Sequence, residues 1–218
     1  MKTGFLKTST AALRQVGITA SIALGLTLAA TTIAPIPPAH AAACDIDTPR
    51  DQMTYEGAQS VWECLKDDLY ANYNKGNKRW IPAEFVKDYR DWELASTLPA
   101  DPGFHGGRYL LTFVNETGYD EYTRFADDGS TDMPAGSVIA KESFSITDKG
   151  KVKPGPLFLM QRVAEGKSPK TDDWYYMMVM PNGAPAAVNV YSACSDCHMG
   201  FAHQGNLGYP VPEARVGQ

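Results

Sequence analysis

Four cysteines restrict this chain more than any other feature, because each pairing ties two segments together and the spacing leaves few pairings open. Cys194 and Cys197 share one short turn, whereas Cys44 and Cys64 lie near each other and far from that turn. The N-terminus says which chemistry these thiols meet. Lys2, Lys7 and Arg14 make a basic start, Val16 to Ala34 carries no charge, and Ala39-His40-Ala41 offers a small-x-small cleavage site. Residues 1–41 therefore read as an export signal, removed from the mature chain, and the expected location is the periplasm. In such an oxidising space thiols are expected to pair or to be used. Removal leaves about 177 residues, one domain's worth, and takes the formal charge from −5 to about −8. An acidic chain with no run of Lys or Arg is a poor ligand for nucleic acid or an anionic membrane, and no later segment approaches the ~18 apolar residues of a span.

Residues 55–73 carry Ala58, Val61, Trp62, Leu65, Leu69 and Tyr73 at spacings of three and four, the apolar face of a helix that Thr54 can cap. Cys64 sits beside that face and Cys44 in the segment leading in, so a Cys44–Cys64 disulfide is expected. The competing reading, a lipoprotein acylated on Cys44, lacks the bulky aliphatic residue usual three positions earlier and leaves Cys64 unpaired. Pro82 opens a second, short helix running to about Trp92, with Phe85, Tyr89 and Trp92 on one side. After the Gly/Pro turn at 101–107 the pattern changes to short apolar runs. Residues 108–114, 137–146, 157–162 and 174–180 read as strands, with a hairpin turn at 148–151 and a brief helix over 117–125. Past Gly208 the chain is Pro-rich and reads as extended. The fold class that follows is α+β, an antiparallel sheet of four to five strands with packed helices and a C-terminal cysteine motif. By domain, residues 42–80 form an N-terminal helical extension and residues 81–218 the functional domain.

Cys194-Ser195-Asp196-Cys197-His198 is C-x-x-C-H, the attachment motif of haem c. Two thiols add across the two vinyl groups, and the imidazole that follows is placed under the iron as an axial ligand. One covalent haem c is therefore expected on Cys194 and Cys197, with His198 as the metal ligand. A redox dithiol or half of a zinc site would use the same cysteines, but each calls for a context not visible in the sequence. Met199 is the last methionine, so the other face of the haem is built by upstream residues or left open. His203 reads as a surface residue, and His105, in a Gly-rich turn beside Arg108, as a solvated turn histidine with a pocket role as the alternative. Met160, Met177, Met178 and Met180 lie in strands, where methionine fills core gaps more often than it ligates iron. Phe104, Phe113, Phe144 and Phe158 are candidates for an aromatic cap or for core, and Asp196 is expected to face solvent.

Taken in order, Tyr89-Arg90-Asp91-Trp92, Phe113-Val114-Asn115, the stretch Met133 to Glu142, Asp173-Trp174-Tyr175-Tyr176 and Cys194 to His198 resemble the cytochrome P-460 family and its relatives, the beta-type cytochromes c-prime. The resemblance implies a periplasmic monohaem protein, a homodimer in many members, with an open or weakly ligated iron. In the P-460 branch a strand lysine, here Lys141, is joined to the porphyrin edge and the enzyme oxidises hydroxylamine. In the c-prime-beta branch that bond is absent and an aromatic pocket binds nitric oxide or similar gases. Strand alternation puts Lys141 on one face with Ser137 and Ile139, so a haem-pocket lysine and an ordinary snorkelling one both fit, while Glu142 faces away as a structural ion pair. Arg108 is a candidate hydrogen-bond donor to a bound nitrogen oxide or a propionate, and Asn189 a candidate to overhang the haem. Three functions stay open: an oxidoreductase on a small nitrogen compound, a gas-binding cytochrome without catalysis, and a simple electron carrier. Each works with a redox partner protein, which an acidic surface would meet through a basic patch.

Overall fold

In the computed structural model the helix read from the three-four spacing runs over α1, Tyr55–Tyr73, and Thr54 caps it by accepting from the Gly57 N–H at 3.1 Å. The structure describes residues 41–186 and 190–217, all within one compact unit; the expected export signal lies outside the described residues apart from Ala41. The second helix is shorter than its sequence suggested. It forms α2, Ala83–Lys87, and then tightens into a 3-10 turn over Tyr89–Asp91. Tertiary demand overrides the local pattern there, because Tyr89 is fully buried and its hydroxyl donates to Glu142, on the same face of the sheet, at 3.1 Å.

Six strands form one antiparallel sheet: β1 Glu93–Leu94, β2 Tyr109–Val114, β3 Val138–Ile146, β4 Val152–Pro154, β5 Leu157–Arg162 and β6 Trp174–Val179. Their order is β1-β2-β3-β5-β6, with β4 hairpinned onto β3 through the turn expected at 148–151. The four long strands match the apolar runs to within a residue at each end. β1 and β4 carry two and three residues, too few to leave a periodic signal. Between β2 and β3, α3 spans Glu116–Tyr122, and its first turn is capped by the Asn115 carboxamide oxygen, which accepts from the Gly118 N–H at 3.3 Å.

Every residue of β2 is buried, and all but one of β3, because both faces of the sheet are covered. On one face Leu65, Leu69 and Tyr73 of α1 form a core with Leu111, Phe113, Ala140, Phe144, Leu157 and Leu159. On the other, Ile139, Met160 and Tyr176, aligned across β3, β5 and β6, belong to a second core with Tyr122, Phe125, Trp174, Leu207 and Tyr209. The expected disulfide is present, joining Cys44 to Cys64 with a Cα–Cα distance of 5.8 Å. It fastens the leading strap to α1, and Asp45 fastens the same strap to β4 by accepting from Lys151 Nζ and from the Val152 N–H, both at 2.8 Å. Beyond Gly208 the chain is partly extended, as expected, but it is tied down: Ser96 bridges Arg215, and the Thr97 N–H donates to the Ala214 carbonyl at 2.8 Å. Among the described residues no helix is long and apolar enough to cross a membrane.

Candidate functional site

Strand alternation decides which side chains meet the C-x-x-C-H segment. Register pairs Thr112 with Lys141, Lys141 with Phe158 and Phe158 with Met178, so these four make one row across the sheet. The row lies on the face away from α1 and forms one wall of a cavity of about 450 Å³. Leu110, Ile139, Met160 and Tyr176 extend that wall. The facing wall comes from the C-terminal segment, through Cys194, Cys197, His198, Phe201, Gly208 and Tyr209, and the turn before β2 adds Phe104 and His105.

The C-terminal wall is helical but irregular. A π turn over Val190–Ser195 gives way to a single α turn, Asp196–His198, and then to a 3-10 stretch over Met199–Gln204. Helical spacing of three and four gathers Cys194, Cys197 and His198 on one side. Gly205 and Asn206, at φ 66° and 65°, then reverse the chain. The reversal brings the Asn206 carbonyl to 2.7 Å from His198 Nδ1, while the Asn206 carboxamide donates to Asp172 at 2.8 Å. With Nδ1 donating to that carbonyl, Nε2 is the nitrogen left to bind a metal. Burial, helped by the Lys141 charge and opposed by the Asn206 carbonyl, pushes the His198 pKa down to about 4, so the ring is neutral, the form that ligates. Sequence reasoning gave no site role to Asn206, Phe201 or Tyr176, although Asn206 left a signal in the Gly205-Asn206 turn dipeptide and Tyr176 lies in a stretch that carries the family resemblance.

Lys141 is buried in the cavity wall, and its Nζ donates to the carbonyls of Gly208 and Leu207 at 2.7 and 3.1 Å. Burial lowers its pKa to about 8. Glu142, next along β3, faces the other way with no side-chain exposure, and Arg90 donates to it at 2.7 Å, the ion pair expected from strand alternation. Arg108 is not among the cavity-lining residues; its guanidinium turns back to donate to the His105 carbonyl. Asn189 lies outside the described residues. Phe104 and Phe158 line the cavity, whereas Phe113 and Phe144 belong to the core on the α1 face, Phe113 edge-on to Tyr89 and Phe144 stacked on Tyr109. Asp196 is exposed, and His203 is a surface residue beside Asp127 at 3.1 Å.

His105 departs from the solvated-turn reading. Its ring packs on Phe158 at 4.6 Å between centroids, and its Nδ1 is buried with no hydrogen-bond partner among the described residues. Burial foremost, then the charges of Lys141, His198 and Arg108, push its pKa down to about 3. The turn glycines that suggested exposure instead allow the backbone to bend inward.

These residues fit a haem. Cys194 and Cys197 are both unpaired thiols, one half-buried and one exposed at the cavity, as thioether formation requires. His198 is oriented by its Nδ1 contact, and the remaining wall is largely aliphatic and aromatic, suited to a flat apolar macrocycle. Among the described residues no Asp or Glu lines the cavity. A family model described as Cytochrome P460 matches residues 86–206, which include the sheet, Lys141 and the cysteine motif. No curated protein matches the chain.

Proposed function

Because the chain belongs to the cytochrome P460 family, and so takes a haem cofactor, we propose that it is an exported, periplasmic monohaem c-type cytochrome acting on a small nitrogen compound such as hydroxylamine or nitric oxide. Cys194 and Cys197 would hold the haem by thioethers and His198 Nε2 would bind its iron. The haem supplies a one-electron iron centre able to take a small axial ligand. The observation that carries this reading is the fixed His198 ring, with Nδ1 on Asn206 and both free thiols beside it at the cavity wall.

The chain's own residues then divide the work. Asn206 and Asp172 hold the imidazole in one tautomer and one orientation. Phe158 beside Lys141 and Phe201 beside His198 keep those parts of the cavity apolar. Lys141, with a pKa near 8, presents a partly neutral amine, the form that could bond to a porphyrin edge carbon if a two-electron oxidant such as a peroxide took up the two hydrogens lost, one from the amine and one from the carbon. Gas binding without catalysis is the second reading. The observation favouring it is that the described residues lining the cavity include no carboxylate, since oxidation of hydroxylamine releases protons that a positioned base would accept.

Intact mass and optical spectra of the purified holoprotein test these readings. A Lys141 cross-link makes the adduct lighter by two hydrogens than a simple haem addition, and gives a red-shifted ferrous Soret band that disappears in Lys141→Ala. An ordinary haem c spectrum that changes on adding nitric oxide selects the gas binder. A low-spin spectrum indifferent to small ligands leaves only an electron carrier, and a chain with no covalent haem overturns the proposal.

A further inference from the structure

We propose that His105 is the sixth ligand of the haem iron in the resting protein, a displaceable imidazole that an incoming small molecule must replace. The inference rests on the haem reading above and adds to it the identity of the distal group. Four observations carry it.

The ring centroids of His105 and His198 are 6.1 Å apart, with planes inclined at 60°. Two imidazoles ligating one iron from opposite sides place their ring centres about 6 Å apart, given metal-to-nitrogen bonds of about 2 Å, and allow any angle between the planes. A histidine that only hydrogen-bonds a molecule already on the iron would need roughly 2–3 Å more, the length of a bound atom plus a hydrogen bond. The observed separation is that of a ligand. Next, His105 lines the same cavity as His198, Cys194 and Cys197, and its buried Nδ1 has no other use among the described residues. Buried polar atoms without partners are rare, and a missing metal contact is one of the accepted reasons for them.

The third observation is the backbone. His105 has φ 56°, in the left-handed region that costs a non-glycine residue on the order of 1 kcal/mol. Gly106 and Gly107 follow at φ 70° and 66°, a run of left-handed backbone that side-chain-bearing residues rarely adopt. The turn is bent to aim one side chain inward. Finally, Arg108 donates to the His105 carbonyl, which gives that arginine a positioning role rather than contact with a bound ligand. A ligand carried on a glycine turn, rather than on the sheet, is held by a segment that can swing without disturbing the core.

The test uses the ferric holoprotein and His105→Gly, a substitution that suits the left-handed backbone and so does not threaten folding. The expected result is a low-spin resting spectrum in the wild type and a high-spin one in the variant, with intact mass showing the same covalent haem in both. Free imidazole added to the variant restores the low-spin spectrum. Azide is expected to bind the variant about tenfold or more tightly than the wild type, because it no longer competes with an internal ligand. A high-spin wild type with haem attached overturns the assignment alone. So does a variant that stays low-spin without imidazole, which would transfer the role to one of the methionines in the cavity wall. A chain carrying no haem overturns this assignment and the proposed function together.

Discussion

Replacing Arg90 by methionine removes the cation that pairs with Glu142 while keeping an apolar stem against the surrounding rings. Glu142 has no side-chain exposure and Arg90 only 20%, so the pair sits between α1 and the sheet. Arg90 also donates to the Lys66 carbonyl at 2.7 Å and lies over the rings of Trp62, Tyr70, Tyr89 and Phe113. Breaking one side of a buried pair costs about 3–5 kcal/mol, which for a domain of this size lowers Tm by about 6–20 °C. The loss should depend on pH. Burial already raises the Glu142 pKa in the presence of Arg90, and without it the folded-state pKa rises further above the unfolded value. A carboxyl whose folded pKa is raised binds its proton more tightly when folded, so stability is greatest in acid and falls as pH rises through that window. The slope is at most about 1.4 kcal/mol per pH unit. Between pH 7.5 and 5.5 the penalty of R90M should therefore shrink by up to about 2–3 kcal/mol relative to wild type. Urea unfolding followed by far-UV circular dichroism measures it, and R90M/E142L should regain most of the lost stability with little pH dependence. If the costs of R90M and E142L simply add, or if R90M is as unstable at pH 5.5 as at pH 7.5, Arg90 and Glu142 are not coupled.

Removing the disulfide as C44A/C64A releases a loop of sequence separation 20 and should cost about 3 kcal/mol, read as a Tm loss of about 6–13 °C that a reductant reproduces in the wild type. Tyr73→Phe deletes a buried hydroxyl that donates to the Gly155 carbonyl at 2.7 Å, and should lower stability by about 1–2 kcal/mol while leaving the haem spectrum unchanged; a spectral shift would show that the α1 core reaches the cavity. Lys141→Met keeps the apolar length of the side chain, so haem attachment by intact mass should persist while any cross-link signature vanishes.

Much of this architecture is written locally. The three-four spacing from Ala58 to Tyr73 gave α1 to the residue, and the alternation of Ile139, Ala140, Lys141 and Glu142 correctly sent the lysine and the carboxylate to opposite faces. Cys44 and Cys64 paired as spacing alone suggested. What stayed hidden depends on contacts between distant segments. Neither β1 nor β4 has enough residues to show a period, and each exists because a long neighbour pairs with it. The break after Lys87 reflects the reach of Tyr89 to Glu142, more than fifty residues later. His105 misled because a Gly-rich turn suggests solvent, and only the placement of Phe158 and His198 shows that the turn folds inward. Tyr176 and Phe201 reach the cavity as aromatic residues whose type alone does not separate a cavity role from core packing.

The bond between Cys44 and Cys64 also bears on how this chain is made. Four thiols meeting an oxidant together can pair in three ways, and two of those ways would consume the thiols of the C-x-x-C-H segment. Closing a loop of separation 20 is favoured over closing one of about 130, as in a Cys64–Cys194 pairing, by about 1.7 kcal/mol, roughly sixteenfold in effective concentration. Early closure between the strap and α1 removes the two competitors, and leaves Cys194 and Cys197 with only each other or a vinyl group to react with.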